Sequence, residues 1–542
     1  MKLPVTVPAA IVSVATLLAG GETEPPKRPE AEQPRLLLLI SVDQLRYDYL
    51  TRFGPSFTSG FQRLLSAGAV FTNAHLDHYP SVTAVGHATM LSGAPPSVSG
   101  IVGNDWYERS EKRNVTSVED AATAMVGRPA GAGEARGSSP HRLLVSTIGD
   151  ELKMAGRGSR VVGLSLKDRS AILMAGRMAD AALWWDEQTG AFVTSTFYAK
   201  ELPAWAAAFN ARRPADAWAG REWRASAPSG AAGALLATLP TKPGPSYYSA
   251  LYASPFGNDL LEAFAEAALE GEALGTHGTT DLLAVSFSAN DAVGHAWGPH
   301  SPEVEDITLQ TDLAIGRLLA AVDRRVGLGR TVVVLTADHG VAPVPEELAA
   351  RRMPAGRVPR EDLVRTATTA LEAAYGPGAW IEGRAGSALY LNKDLIAAKG
   401  LDPAAVERTA AVGVETLAPV WRAYTRAQIL EGRVPPDPWS RRVMLSFHRE
   451  RSGDVEVLLE PYWVPAVAKA THGTPYSYDT HVPLVLMGPG ILSGRYNRPV
   501  ALNDLAPTLA TLLEVETPSG SAGSVLGEAL VGVAQERDTR AP

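Results

Sequence analysis

The sequence predicts an α/β fold, a large and mostly parallel central sheet with helices on both faces and insertions at the rim where a site would form. Three observations predict it. Short apolar runs, LLLLISV (36–42), RVVGLSL (160–166), DLLAVSF (281–287), TVVVLTA (331–337) and VPLVLMG (482–488), read as strands buried on both faces. Helical patterns such as DITLQTDLAIGRLLAAVDRRV (306–326) fall between them, and strand–helix alternation implies parallel strands joined by helical crossovers. Chemistry-bearing residues gather just after several of these runs, where open α/β sheets bind ligands.

The elements follow in order. The chain opens MKLPVTVPAAIVSVATLLAGG, with one Lys, an apolar run from Val5 to Leu18 and then small residues. This is the pattern of a secretory signal over 1–20, so an exported protein, periplasmic or secreted, is expected. The run is too short and too Pro-interrupted for a stable membrane span. LLAGG resembles a lipoprotein box but lacks the Cys that would carry the lipid. Residues 21–34 are polar and Pro-rich, a flexible leader. An α/β domain is expected over 35–531, interrupted by a Trp-rich insertion (186–275) and a second insertion (346–470) with strands at SALYLN (387–392) and VEVLLEP (455–461). Residues 532–542 read as a loose tail.

Of the 542 residues, 45% are hydrophobic and 20% charged, the balance of a globular chain. A formal net charge of −8 argues against a surface that coats nucleic acid, and no nucleic-acid partner is expected. The absence of Cys removes disulfides, thiol nucleophiles and thiolate metal sites. Any metal must be held by His and carboxylate.

Asp43 follows the first run, Asp291 and His295 the third, and Asp338 and His339 the fourth. Singly, they read as a helix cap, a surface pair and a turn. Together they deliver hard and borderline ligands to one rim and read as a dinuclear divalent-metal site. One more ligand is needed. His481, in YDTHVPLVLMGPG, is the first choice, although a ligand opening a strand requires that strand to run antiparallel or a loop to return over the rim. His472, in THGTPYS, is the second. The stretch YPSVTAVGHATMLSG offers the hydroxyls of Ser81, Thr83, Thr89 and Ser92, whose ordinary work is helix capping. His87, four residues after Thr83, would make a nucleophile–base pair but is expected to be structural, since metals can activate the hydroxyl. In SLKDRSAI, a strand-like reading puts Lys167 and Arg169 on one side, facing an anion. Asn104, in GIVGNDWY, is either a turn residue or a donor to an anionic oxygen.

These motifs resemble the alkaline phosphatase superfamily, most nearly the phosphate-irrepressible alkaline phosphatases, monoesterases with a Thr nucleophile. The segments that carry the resemblance run from VDQLRYDYL through SVTAVGHATMLSG, GNDWY, SLKDRSAILMAG, NDAVGHAWGP, TADHG and THVP to LNDLAPTLATLL. The resemblance implies two zinc ions, one held by Asp291, His295 and His481 and the other by Asp43, Asp338, His339 and the Thr83 oxygen. It makes Thr83 the nucleophile of a phosphothreonine intermediate, with Asn104, Lys167 and Arg169 on the phosphoryl oxygens. It implies a broad range of phosphate monoesters as substrates, inorganic phosphate as product, and phosphate scavenging as purpose. Similar diesterases lack the Lys167/Arg169 pair. A phosphodiesterase or nucleotide pyrophosphatase on the same scaffold is the nearest rival. A non-catalytic metal or phosphate binder is the rival of another class.

Overall fold

The structure is a computed structural model that describes residues 33–129, 131–132, 135–226 and 232–532. The expected signal, most of the leader and most of the tail lie outside these residues. The centre of the sheet is built from β1 (Leu36–Val42), β2 (Val161–Ser165), β3 (Ala181–Asp186), β4 (Asp281–Phe287), β5 (Thr331–Thr336) and β6 (Leu484–Met487). Every residue of β1, β2, β4 and β5 is buried, which explains their unbroken apolar runs.

Among the described residues the main sheet has eleven strands. Its interior order is β6-β5-β1-β4-β2-β3, and β5, β1, β4, β2 and β3 run parallel. Antiparallel neighbours flank this block. β6 pairs antiparallel with β5, and Ala191–Ser195 pairs antiparallel with β3. The sheet is therefore mixed, with a parallel centre.

Register fixes the level at which the chemistry appears. Thr336, Ser41, Ser286 and Ser165 are successive cross-strand partners. The residues just beyond them emerge side by side at the carboxyl ends of β5, β1, β4 and β2. Three helices bring site residues to this rim, α1 (Thr83–Ser92), α2 (Asp168–Ala175) and α3 (Ala289–Trp297), and α4 (Pro302–Arg325) follows α3 and packs against it. α4 carries a full set of end signals. Ser301 accepts from the Val304 N–H, Pro302 opens the helix, Glu303 and Glu305 lie in the first turn and Arg324 and Arg325 in the last.

The insertion boundaries differ from expectation. Ala191–Ser195 belongs to the main sheet, and Phe264 and Leu260 of the helix Pro255–Gly271 are part of the main core. Phe209, Trp223, Leu239, Tyr247 and Leu251 belong to that core as well, so much of 186–275 is packed into it. The second insertion contains a four-stranded sheet, Ile381–Ala385, Ala388–Leu391, Val455–Leu459 and Val420–Thr425 in that order. It has its own apolar core with α5 (Arg360–Tyr375), in which Leu363, Ala367 and Leu371 meet Trp380 and Leu389.

Candidate active site

Asp43 leaves β1 fully buried, and its Oδ1 has no hydrogen-bond partner. Asp338, just past β5, is also fully buried, and its Oδ2 accepts no hydrogen bond, with the imidazoles of His87 and His339 near it, at 3.3 and 3.4 Å. Such orphan carboxylate oxygens are costly unless a cation meets them. Asp43, Asp338 and His339 bring donor atoms within 4.8 Å of one another, as do Asp291, His339 and His472. His295 Nε2 lies 3.2 Å from Asp291 Oδ1, and His472 Nε2 lies 3.7 Å from the same oxygen.

The histidines are oriented alike. Nδ1 of His339 donates to Gly340 O at 2.9 Å, that of His295 to Ala470 O at 2.7 Å and that of His472 to Ser81 O at 2.8 Å. Each Nε2 is then turned to carboxylate oxygen, an arrangement that needs a proton or a metal ion between them. Burial pushes the pKa of His339 and of His472 down, which disfavours the proton. His295 is raised: burial opposes its charge, but the Asp291 carboxylate outweighs burial. Burial would raise Asp338, yet His339 and His87 hold it low, whereas burial and the Asp338 charge push Asp43 up. The donor set, oxygen and imidazole nitrogen with no sulfur, fits divalent metal ions.

Of the four Ser and Thr hydroxyls in the 79–93 stretch, three are occupied by carbonyls. Ser81 Oγ donates to Thr474 O at 2.9 Å, Thr89 Oγ1 to Val85 O at 2.9 Å and Ser92 Oγ to Ala88 O at 2.5 Å. Thr83 is the first residue of α1, not its cap. Its Oγ1 lies 3.5 Å from His339 Nε2 and 3.4 Å from Lys167 Nζ. Asn104 Oδ1 accepts from the Ala84 N–H at 2.8 Å. That bond ties Asn104 to the start of α1 and leaves its amide NH2 as the donating group. It also takes one of the helix-start N–H groups that a phosphate would otherwise meet.

Lys167 Nζ lies 2.6 Å from both Asp43 Oδ2 and Asp291 Oδ2. Burial works against its charge, but the carboxylates of Asp291 and Asp43 more than compensate and raise its pKa. The strand-like reading of this segment was incorrect. β2 ends at Ser165, Lys167 is the N-cap of α2 and Arg169 lies in its first turn. Arg169 Nε is buried without a hydrogen-bond partner, and the Arg169 charge is felt at Lys167.

The expected ligand His481 is not brought to this cluster. β6 does run antiparallel, but the His481 ring stacks on Tyr47 and His75, at 4.3 and 4.6 Å between centroids. Its Nε2 is 3.0 Å from Thr72 O, a distance at which it donates to that carbonyl. His472, the second choice, stands in the cluster, its ring stacked on His339 at 3.6 Å. The loop before β6, rather than β6 itself, supplies the histidine. His87 is bound at both nitrogens, to Thr83 O and Ser286 Oγ at 2.8 Å each, with Nδ1 also 3.3 Å from Asp338 Oδ2. It braces α1 and Asp338, consistent with a structural place.

Sequence reasoning missed Gln44. Its N–H donates to Asp338 Oδ1 at 3.1 Å and its Nε2 to Asp291 Oδ1 at 2.6 Å, so one residue braces both donor groups. It does so at φ 66°, a left-handed conformation unusual for a non-glycine residue. No local pattern signals that strain.

The chain belongs to the family described as type I phosphodiesterase / nucleotide pyrophosphatase, which matches residues 37–481. Within it, the chain is 33% identical over 541 residues to alkaline phosphatase PafA of Elizabethkingia meningoseptica, spanning 95% of this chain and 98% of that protein. It is 32% identical over 524 residues to alkaline phosphatase PhoV of Synechococcus elongatus, spanning 92% and 93%. A protein named calcium-transporting ATPase, from Myroides odoratus, is 33% identical over 525 residues, spanning 92% and 95%. The crystal structure of wild-type PafA superposes with a TM-score of 0.84 at 32% identity, covering 92% of this chain and 99% of that one. A PafA variant with one Thr, one Asn, one Lys and one Arg replaced superposes equally well. The fold is alkaline-phosphatase-like.

Proposed function

We propose that this protein is an alkaline phosphatase, a metal-dependent phosphomonoester hydrolase that works through a phosphothreonine on Thr83. The observation that carries this reading is the convergence of Thr83, Lys167 and two buried His/carboxylate groups on one rim. The relatives named alkaline phosphatase support it, as do the residue types replaced in the PafA variant, which are those of Thr83, Asn104, Lys167 and Arg169.

Asp43, Asp338 and His339 would hold one zinc ion beside Thr83, and Asp291, His295 and His472 the other. The two ions would supply Lewis acidity, favouring the Thr83 alkoxide and a hydroxide near neutral pH and offsetting charge on the leaving oxygen. Thr83 Oγ1 forms the new bond to phosphorus as the ester P–O bond breaks and the leaving alcohol takes up a proton. Water then displaces Thr83 from phosphorus, releasing phosphate. The Asn104 NH2, Lys167 and Arg169 donate to the non-bridging oxygens, which bear the charge in both steps. Gln44 and the three backbone carbonyls keep the ligand side chains from rotating.

A broad range of monoesters, export to the periplasm or medium and phosphate scavenging complete the proposal. No helix among the described residues is long and apolar enough to cross a membrane. The diesterase reading is favoured by the description of the matched family. Hydrolysis of p-nitrophenyl phosphate beside bis-p-nitrophenyl phosphate separates the two, with zinc-loaded and chelator-stripped protein and with Lys167→Ala/Arg169→Ala. Zinc-dependent monoesterase activity should fall by about 10²–10³ in the double variant. A diester preference indifferent to that variant would refute the proposal.

A further inference from the structure

A cavity of about 310 Å³ opens on His295, His472 and Asn104 and extends into the second insertion. On the phosphatase reading, on which this inference rests, the Asp291/His295/His472 side faces the leaving group, so the cavity is where the leaving group goes. Its lining also includes Arg360, Glu456, Tyr79 and Tyr390.

Arg360 is placed at a cost that its surroundings only partly relieve. It is the first residue of α5, a 16-residue helix, where a cation opposes the helix dipole. Its Nε is buried without a hydrogen-bond partner. Burial and the charge of Arg384 push its pKa down, and Asp105 only partly compensates. A guanidinium has five N–H donors and no acceptor, so what satisfies it must be an acceptor, and an anion does so best. Glu456 works in the other direction. Burial lifts its carboxyl to about 7, so it is largely uncharged below neutrality and repels an anion when ionised. Tyr79 and Tyr390 donate their hydroxyls to Val457 O and Arg451 O, which leaves their rings as apolar walls.

We propose that this cavity is a leaving-group subsite in which Arg360 binds a second anionic group, a carboxylate or phosphate, carried by the alcohol portion of the ester. The protein would then discriminate among monoesters in favour of those with a remote negative charge.

The test compares kcat/KM for 4-carboxyphenyl phosphate and phenyl phosphate, taken as a ratio within each protein so that leaving-group reactivity cancels between variants. Arg360→Met should lower the ratio about tenfold, the worth of one charge-assisted hydrogen bond. Glu456→Gln, which removes the opposing charge, should raise it. An unchanged ratio in folded Arg360→Met, or a lowered one in Glu456→Gln, overturns the proposal. If Arg360→Met does not fold, Glu456→Gln decides alone. Titration of wild-type protein and Glu456→Gln with 4-carboxyphenylphosphonate and phenylphosphonate supplies a readout without turnover. Tighter binding of the carboxylated ligand is expected, and equal binding overturns the subsite. Absence of any monoester hydrolysis with that binding preference intact would instead refute the phosphatase reading.

Discussion

Replacing His472 with Ala tests the ligand assignment most directly, because two histidines nine residues apart make opposite predictions. In His472→Ala the imidazole whose Nε2 lies 3.7 Å from Asp291 Oδ1 is lost, leaving Asp291 and His295 as that group's side chains. Loss of an outer-shell partner alone costs about 10–100-fold in metal affinity, so loss of a ligand should cost at least about 100-fold, or roughly 2.8 kcal/mol. His481→Ala removes one hydrogen bond to Thr72 O and stacking on Tyr47 and His75. That should cost about 1–2 kcal/mol of stability, with metal affinity unchanged. The assay is zinc competition against a chromophoric chelator, with metal content after dialysis and thermal melts of the chelator-stripped proteins alongside. Normal zinc affinity in His472→Ala with loss in His481→Ala would refute the ligand set derived from the geometry.

Two further outcomes follow from packing and burial. A Cβ added at Gly86 would lie 2.3 Å from Asp338 O and 2.6 Å from its Cα, so Gly86→Ala must push α1 away from Asp338. It should cost about 1–3 kcal/mol in stability and, by displacing Thr83, about tenfold to 100-fold in kcat, read by melts and steady-state kinetics. Burial lifts the Glu262 carboxyl to about 7 despite the opposing pull of Arg317. The folded state therefore keeps this proton where the unfolded chain has lost it, so stability falls as pH rises from about 4.5 to 7. Glu262→Gln should remove that contribution, gaining on the order of 2 kcal/mol relative to wild type between pH 5 and pH 8 in denaturant titrations. A constant difference across that range would show that Glu262 does not titrate in this way.

What was legible in the chain followed periodicity. β1 and β4 begin and end where their largely apolar runs do, because burial on both faces gives each run a length that matches the strand. Candidate ligands that closely follow strands, Asp43 and Asp338, were equally readable, since the strand fixes their level. The errors came where long-range contacts set the position. His472 is held by Ser81, 391 residues away in the chain, and no local pattern places the THGTP loop. His481 misled because it adjoins a strand, while its ring is captured by Tyr47 and His75. Lys167 and Arg169 looked like strand neighbours because a helix start after an extended cap has no alternation to reveal it. Gly86 reads as a weak point in a helix, and only the packed structure shows that a backbone lies against it.

Lys167 sharpens the case for a dianionic substrate. In this structure its ammonium is shared by two carboxylates, Asp43 and Asp291, both in the candidate ligand set. Lys167 takes Oδ2 of each carboxylate, which leaves Oδ1 of Asp43 for a cation, and its Nζ stands 3.4 Å from Thr83 Oγ1 without having to leave either partner. On the proposed reading, two divalent ions with Lys167 and Arg169 outweigh the charges of Asp43, Asp291 and Asp338. A dianionic ester beside the Thr83 alkoxide balances that surplus, whereas a diester, with one charge fewer, leaves it partly unmet in a buried site where unmatched charge is costly. On this reading the preference for monoesters arises from the charge of the whole rim, to which Lys167 and Arg169 contribute, and not from a steric gate against the second substituent of a diester.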